Sequence, residues 1–334
     1  MREQAQNKRI LVTGGTGLVG SHLLRALLSQ SPNADIRALR RPHSRMDLVE
    51  DFLDRVEWIE GDVLDGPLLG DVLSDVGQVY HCAGVVSFDD RRRKEMMRTN
   101  IRGTEEVVNA ALSAGVGKLV HISSISALGH PRHLQHLDES FVWERSRRNT
   151  QYGISKFLAE QEVWRGVAEG LNAVILNPSL IIGRGRLDEG TNRFFKWVAR
   201  GLPFAPPGSS GFVDVRDVAD AAIGVMAADV SGRRYLVNAA NLTFREFLQL
   251  VADSLGVSGP RFSAGKLIRS LGWRASVLSG RFSGEEPLLT SETAKWSSFR
   301  YTYGGEALME LLGRRYRSVE ESVKEVGKWF LGEM

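Results

Sequence analysis

A run of apolar residues that passes directly into a glycine-spaced turn, and from there into a helix, leaves a chain few folds to adopt. Residues Ile10-Leu11-Val12-Thr13-Gly14-Gly15-Thr16-Gly17-Leu18-Val19-Gly20 have this form, with Gly14, Gly17 and Gly20 spaced G-x-x-G-x-x-G. Glycine at the first two positions lets the backbone turn tightly and approach a bound group. Glycine at the third lets the helix pack closely on the strand. The free N–H groups of the following helix then face the turn, an arrangement that holds a dinucleotide pyrophosphate. A glycine loop without a ligand is the bland reading. The position between strand and helix is the context that argues against it.

The rest of the first half repeats the theme. Apolar, β-branched strand candidates at Arg9–Val12, Ile36–Leu39, Val56–Glu60, Val79–Cys82, Leu119–Ile122 and Val174–Leu176 alternate with amphipathic segments at Ser21–Ser29, Glu95–Ala114 and Tyr152–Ala168. Short, nearly all-apolar strands between helices read as a parallel sheet covered on both faces. The expected fold class is α/β, a doubly wound parallel Rossmann sheet of about six or seven strands with ligand along its carboxyl edge. After Pro203, Pro206, Pro207 and Gly208 the pattern loosens, and helical periodicity dominates from Asn241 onward. The sequence thus suggests a cofactor domain over residues 1–177 and about 212–240. A smaller, mainly helical substrate lobe takes residues 178–211 and 241–334.

Composition narrows the function classes. Forty-three basic against 40 acidic residues leave a net charge of +3, too balanced for a surface built to neutralise nucleic-acid phosphates. A single cysteine, Cys82, excludes an internal disulfide framework and fits a reducing cytoplasm. Met1–Lys8 lacks the apolar core of a signal peptide, and no run approaches the roughly 20 apolar residues that cross a bilayer. Lys266–Arg274 is basic and aromatic at helical spacing, and reads as a surface helix of the substrate lobe before it reads as a membrane contact.

At the end of the second strand an NAD site would normally present an acidic residue to the ribose hydroxyls. Here stand Arg37, Arg40 and Arg41, and a guanidinium fork suits a 2′-phosphate. NADP(H) is therefore the expected cofactor, with NAD(H) the lesser alternative; three solvated arginines are the bland reading. Asp62 and Val63, after the third strand, are placed to meet the adenine. Cys82, Ala83 and Gly84, after the fourth, are placed to let ribose and nicotinamide lie against the backbone. His81 and Cys82 read equally as buried strand filling, and nothing marks the thiol as activated.

Tyr152 and Lys156, in Tyr152-Gly153-Ile154-Ser155-Lys156, are separated by one helical turn and share a face, with Asn149 and Thr150 as candidate caps. A phenol ionises near pH 10; an adjacent ammonium brings it toward neutrality and lets it exchange a proton with a carbonyl oxygen. Lys156 is also expected to bond the nicotinamide ribose. From Ser123-Ser124-Ile125-Ser126, at the end of the fifth strand, Ser124 is expected to bond the substrate oxygen, with Ser123 and Ser126 as bystanders. Asn100 is expected to serve the packing of helix on sheet before any water relay.

Gly14, Gly17, Gly20, Asp62-Val63, His81-Cys82-Ala83-Gly84, Asn100, Ser124, Tyr152 and Lys156 stand in the order and spacing of the extended short-chain dehydrogenase/reductases, which the chain resembles over nearly its whole length. Asn177-Pro178-Ser179-Leu180-Ile181-Ile182-Gly183 and Phe212-Val213-Asp214-Val215-Arg216-Asp217-Val218 are most similar to the dihydroflavonol reductase and 3β-hydroxysteroid dehydrogenase-like branch. The resemblance implies a cofactor site that also takes in the backbone of Thr16, Leu18 and Val19, and of Pro178, Ser179 and Leu180 beside the nicotinamide amide. It further implies dimerisation through two helices, here 95–114 and 152–168. Ile125-Ser126 stands where the sugar-nucleotide dehydratases carry Asp-Glu, and Leu128 where many epimerases carry tyrosine.

Three readings of function follow. The first is an NADP(H)-dependent oxidoreductase interconverting a ketone or aldehyde with an alcohol, on a partly apolar small molecule. The second is a sugar-nucleotide epimerase with retained NAD. The third is a non-catalytic dinucleotide sensor, which would have no use for a tuned acid. His130, His133 and His136 recur at every third residue, but Pro131 and the lack of neighbouring cysteine or carboxylate argue against a metal site. Arg91–Lys94 reads as a solvated turn.

Overall fold

The computed structural model describes residues 9–265 and 290–333. Seven parallel strands form the main sheet, laid out in chain order as β1 (Arg9–Thr13), β2 (Ile36–Arg40), β3 (Glu57–Glu60), β4 (Val76–His81), β5 (Lys118–Ile122), β6 (Ala173–Pro178) and β9 (Arg233–Val237). In space they run β9-β6-β5-β4-β1-β2-β3. The order reverses between β1 and β4, so a crevice opens there at the carboxyl ends, where this class of sheet binds ligands.

The strands are buried on both faces because successive side chains alternate. Val12, Ala38, Tyr80, Val120 and Val174 enter one core with helices α1 (Leu18–Gln30) and α6 (Val215–Ala227). Leu11, Leu39, Val79, Leu119 and Ile175 enter the other with α2 (Gly66–Leu73), α3 (Gly103–Ser113) and α4 (Gln151–Ala168). Helix starts follow local chemistry. The Asp65 carboxylate accepts from the Leu68 amide with Pro67 beside it, and the Thr150 hydroxyl accepts from the Gly153 amide at 2.9 Å.

After β6 the chain leaves the main sheet. It forms β7 (Leu180–Ile182), α5 (Asn192–Ala199) and β8 (Ser209–Asp214), returns for α6 and β9, then leaves again through β10 (Ala240–Thr243) and α7 (Phe244–Leu255). Strands β10, β8 and β7 make a small second sheet. Beside it Phe195, Phe212, Phe244, Phe247 and Phe330 form a separate core with α10 (Val319–Glu333), reached through α8 (Ser291–Trp296) and α9 (Glu306–Leu312).

Two local expectations are corrected. The segment 95–114 is not one continuous α-helix: Arg93–Met97 passes through a π-turn at Arg98–Arg102 before α3 begins. The extra residue in that turn points Asn100 inward, where its side chain bonds neighbouring elements. Strand β4 starts at Val76, earlier than Val79, because Arg9 of β1 pairs with it there. The amphipathic stretch 266–274 lies outside the described residues.

Candidate active site

The glycine turn is sterically tight. Gly14 has φ +69°, and a Cβ there would stand 2.6 Å from the Ala83 backbone nitrogen, so β1 and β4 can close the crevice only around glycine. A Cβ on Gly20 would stand 2.2 Å from the Gly14 carbonyl oxygen, which lets α1 press directly on the turn. Gly17 is the N-cap of α1 and supplies no side-chain cap, and the first turn carries no acidic residue. The leading N–H groups of Leu18 and Val19 thus have no carboxylate of the helix's own over them. Leu18 turns its side chain over Gly185, and Val19 packs on the core, so both offer backbone alone. The residues fit a dinucleotide: the turn is a cradle that a side chain would fill, at a helix start suited to an anion.

The residues beyond the turn divide. Arg40 and Arg41 sit at the carboxyl end of β2, Arg40 3.1 Å from Glu60 and Arg41, 55% exposed, 3.9 Å from Glu95. Arg37 does not join them. Three residues earlier and on the opposite face of the strand, it donates to the Val72 carbonyl and to Glu57 and Asp75 at the far edge of the sheet. Asp62 accepts from the Leu64 amide at 3.0 Å, while the Val63 side chain is buried in the core. Ala83 donates its amide to the Thr13 hydroxyl, Cys82 donates its own to the Thr13 carbonyl, and Gly84 is exposed. Burial pushes the Cys82 thiol up to about 12, which keeps it protonated. Ser179 spends its amide and hydroxyl on the Val237 carbonyl (3.0 and 3.2 Å), between Pro178 at the end of β6 and Leu180 at the start of β7.

Asn100 is fully committed to structure. Its Oδ1 accepts from the Val85 amide at 2.7 Å, and its Nδ2 donates to the Val85 carbonyl and to Ser155 Oγ. It thereby braces the loop after β4 against α4. His81 is equally committed, one ring nitrogen on Thr13 Oγ1 (2.7 Å) and the other on Thr104 Oγ1 (3.0 Å).

Tyr152, Ser124 and Lys156 come together at the ends of β4 and β5. Thr150 caps the helix that carries Tyr152 and Lys156, whereas Asn149 is diverted to the His130 amide. Ser124 is half-buried in side-chain contact with the phenol, and its carbonyl accepts from Asn177 at 2.9 Å. Ser123, one residue earlier, points the other way and donates to buried Glu160, so it is no candidate for substrate contact. The Lys156 ammonium donates to the Ile122 carbonyl at 2.8 Å and lies 3.8 Å from the point where a Gly84 Cβ would stand.

Electrostatics departs from the sequence-based expectation at one point. Burial pushes the Tyr152 phenol up to about 12, with the Ser124 hydroxyl opposing. Burial instead brings Lys156 down to about 8, against the attraction of Glu160. The cluster as it stands is a protonated phenol beside an easily discharged amine.

Sequence reasoning missed three neighbours. The Phe88 ring stands edge-on to Tyr152 at 5.8 Å. Arg186 clamps the glycine turn, donating to the Thr16 carbonyl (3.0 Å) and to Asp47 (2.7 Å). Glu292 of α8 accepts from the Gln151 amide at 3.1 Å, tying α8 to the start of the helix that bears Tyr152. Only Arg186 had a local signal, in the glycine-flanked Gly183-Arg184-Gly185-Arg186. Among the described residues no group of three or more His, Cys, Asp or Glu side chains could hold a metal ion. His130 is buried against Tyr301, while His133 and His136 are exposed.

A glycine turn at the switch point of a doubly wound sheet, facing a Ser–Tyr–Lys cluster on the same edge, defines the class of the short-chain dehydrogenase/reductases. This chain belongs to the NAD dependent epimerase/dehydratase family, which it matches over residues 10–238, and is an extended short-chain oxidoreductase. It is similar to a Synechocystis sp. protein named as a dihydroflavonol 4-reductase, 28% identical over 96% of this chain and 93% of that one. It is also similar to sterol demethylase protein B of Methylococcus capsulatus, 31% identical over 76% of each. A 3β-hydroxysteroid dehydrogenase/Δ5→4-isomerase of Mycobacterium tuberculosis is 27% identical over 84% of this chain and 79% of its own. Among solved structures, that of gox2253 superposes with a TM-score of 0.82 at 27% identity, covering 98% of this chain and 99% of that one. The family is NAD(P)-dependent and acts on small molecules. No described helix is long and apolar enough to cross a membrane.

Proposed function

We infer that this oxidoreductase interconverts a ketone or aldehyde with an alcohol on a partly apolar, non-nucleotide substrate, with NADP(H) preferred over NAD(H). The observation that carries the reading is the meeting of Ser124, Tyr152 and Lys156 beside exposed Gly84. When bound, the nicotinamide supplies the hydride for reduction and accepts it for oxidation. Tyr152 Oη gives its proton to the carbonyl oxygen as that oxygen gains charge, and its burial keeps the proton in place until then. Ser124 Oγ–H donates to the same oxygen and fixes its position. Lys156 would hold the ribose of the bound cofactor and stabilise the phenolate left behind, which solvent reprotonates.

Three further features support the details. Arg41, exposed at the end of β2 with no acidic residue at that turn, suits a 2′-phosphate. The Phe88 ring, edge-on to Tyr152, gives the site an apolar wall. Ile125-Ser126 and Leu128 replace residues that sugar-nucleotide chemistry would use.

The test is cofactor consumption by purified protein over a panel of apolar ketones and aldehydes, run beside nucleotide sugars. The expected result is carbonyl reduction with NADPH, favoured over NADH by about tenfold or more in kcat/KM. Protein that purifies with NAD bound and turns over only nucleotide sugars would overturn the reading in favour of an epimerase.

A further inference from the structure

One helical turn beyond Lys156, the catalytic helix carries a second charge that the reaction does not use. Glu160 has no solvent exposure (0%). Its Oε1 accepts from Ser123 Oγ and from Asn177 Nδ2, each at 2.5 Å. The same Asn177 nitrogen donates to the Ser124 carbonyl at 2.9 Å. Its Oε2 accepts no hydrogen bond, and the nearest cation, Arg234 Nη2 of β9, stands 3.8 Å away with its own Nη1 unsatisfied. Burial pushes the Glu160 carboxyl above its ordinary range, opposed by Arg234, Ser123, Asn177 and Lys156, and a buried carboxylate so incompletely partnered is costly where an apolar side chain would pack more cheaply.

Its neighbours suggest what it does. Facing Lys156 are His81 and His121, two buried imidazoles with rings 5.0 Å apart that burial keeps neutral, and the protonated Cys82. Facing Glu160 are Ser123, Asn177, Arg234 and Lys156 itself. Among the described residues Glu160 is thus the carboxylate that acts on Lys156, ahead of Cys82. Through Ser123 and Asn177 it also grips the ends of β5 and β6, the strands that set Ser124 and the Pro178–Ser179 turn.

We propose that Glu160 is a positioning residue of the active site, one carboxylate that keeps the Lys156 ammonium charged and fixes the Ser124 strand end against the helix bearing Tyr152. Burial already brings Lys156 down to about 8, and the Glu160 charge is the larger of the two influences, with Cys82, that oppose that burial. The proposal takes its meaning from the reductase reading, but its test needs no turnover.

The experiment is an NMR titration of lysine ε-carbons in cofactor-free protein, with Lys156 assigned by its loss in Lys156→Arg. Glu160→Gln keeps an acceptor for Ser123 and Asn177 while removing the charge, and should lower the Lys156 midpoint by about one pH unit or more. Glu160→Asp, which keeps the charge, should restore most of that shift. NADPH affinity in Glu160→Gln should weaken about threefold to tenfold at pH 8 and stay near the wild-type value at pH 6. Lys156→Met, which removes a buried cation, reads the same coupling from the other side: the Glu160 carboxyl carbon should then titrate at higher pH than in wild type. An unmoved midpoint in folded Glu160→Gln, or an unmoved Glu160 titration in Lys156→Met, overturns the proposal. A ketone panel without turnover would sink the reductase reading and leave these titrations intact.

Discussion

At the amino edge of the main sheet, Arg9 and Arg37 share Asp35, Glu57 and Asp75 in a mesh of charge pairs, all at 3.5 Å or less, whose acids remain well exposed. At the carboxyl edge of the same sheet, Lys156, Glu160, His81 and His121 are buried, and both ring nitrogens of His121 lack any partner among the described residues. The first edge solvates and pairs its charges, so each pair contributes little and costs little. The second holds polar groups where they destabilise the fold unless function retains them. What separates the two edges is access to water.

The largest effect should come from Tyr152→Phe, which leaves packing against Phe88 in place and removes the proton. Carbonyl turnover should fall on the order of a hundredfold or more, with NADPH affinity close to wild type. Steady-state kinetics with fluorescence titration of NADPH separates the two quantities, and unchanged turnover would end the role given to Tyr152.

Arg37 in β2 and Arg41 just after it sharpen the contrast between the edges. Arg41→Ala should erode the NADPH-over-NADH preference by about tenfold with little change in stability. Arg37→Ala should do the reverse, costing about 1–3 kcal/mol of unfolding free energy because it strips the Val72 carbonyl of its donor, with cofactor preference unmoved. Chemical denaturation and dual-cofactor kinetics on both variants check this; exchanged outcomes would mean the 2′-phosphate lies elsewhere.

A smaller effect should appear in acid. His81 is held down to about 3 and His130 to about 4, against 6.5 in the unfolded chain, burial being the first cause in both. Between those values the unfolded chain binds more protons, so stability rises with pH and is lost as pH falls from about 6.5 toward 4. Thermal unfolding between pH 7 and 4.5 should show the decline, and His130→Phe should flatten part of it. A level profile in wild type would mean these rings reach water.

Much of the site was legible in one dimension because its parts are local. The glycine spacing specifies a backbone path whatever surrounds it, and the Tyr152–Lys156 interval specifies a shared helix face. Ser124 was distinguishable from Ser123 only as a guess about strand phase. A one-residue difference decides which hydroxyl meets the phenol and which meets Glu160. Arg37 separates from Arg40 and Arg41 for a different reason: it enters at the amino end of β2, most of a strand length from the crevice. The kink at Asn100 was invisible, because an apolar period of helical type does not reveal an extra residue in a turn.

The sequence by itself determined six of the seven strands of the main sheet, the glycine turn and the helix that carries Tyr152 and Lys156 on one face, because these depend on backbone sterics and on spacings of a few residues. Tertiary structure alone decided the electrostatics. A phenol held near 12, a lysine near 8 and a carboxylate locked between three elements all arise from which groups share a dry interior. That is a property of contacts between residues far apart in the chain, and no local pattern encodes it.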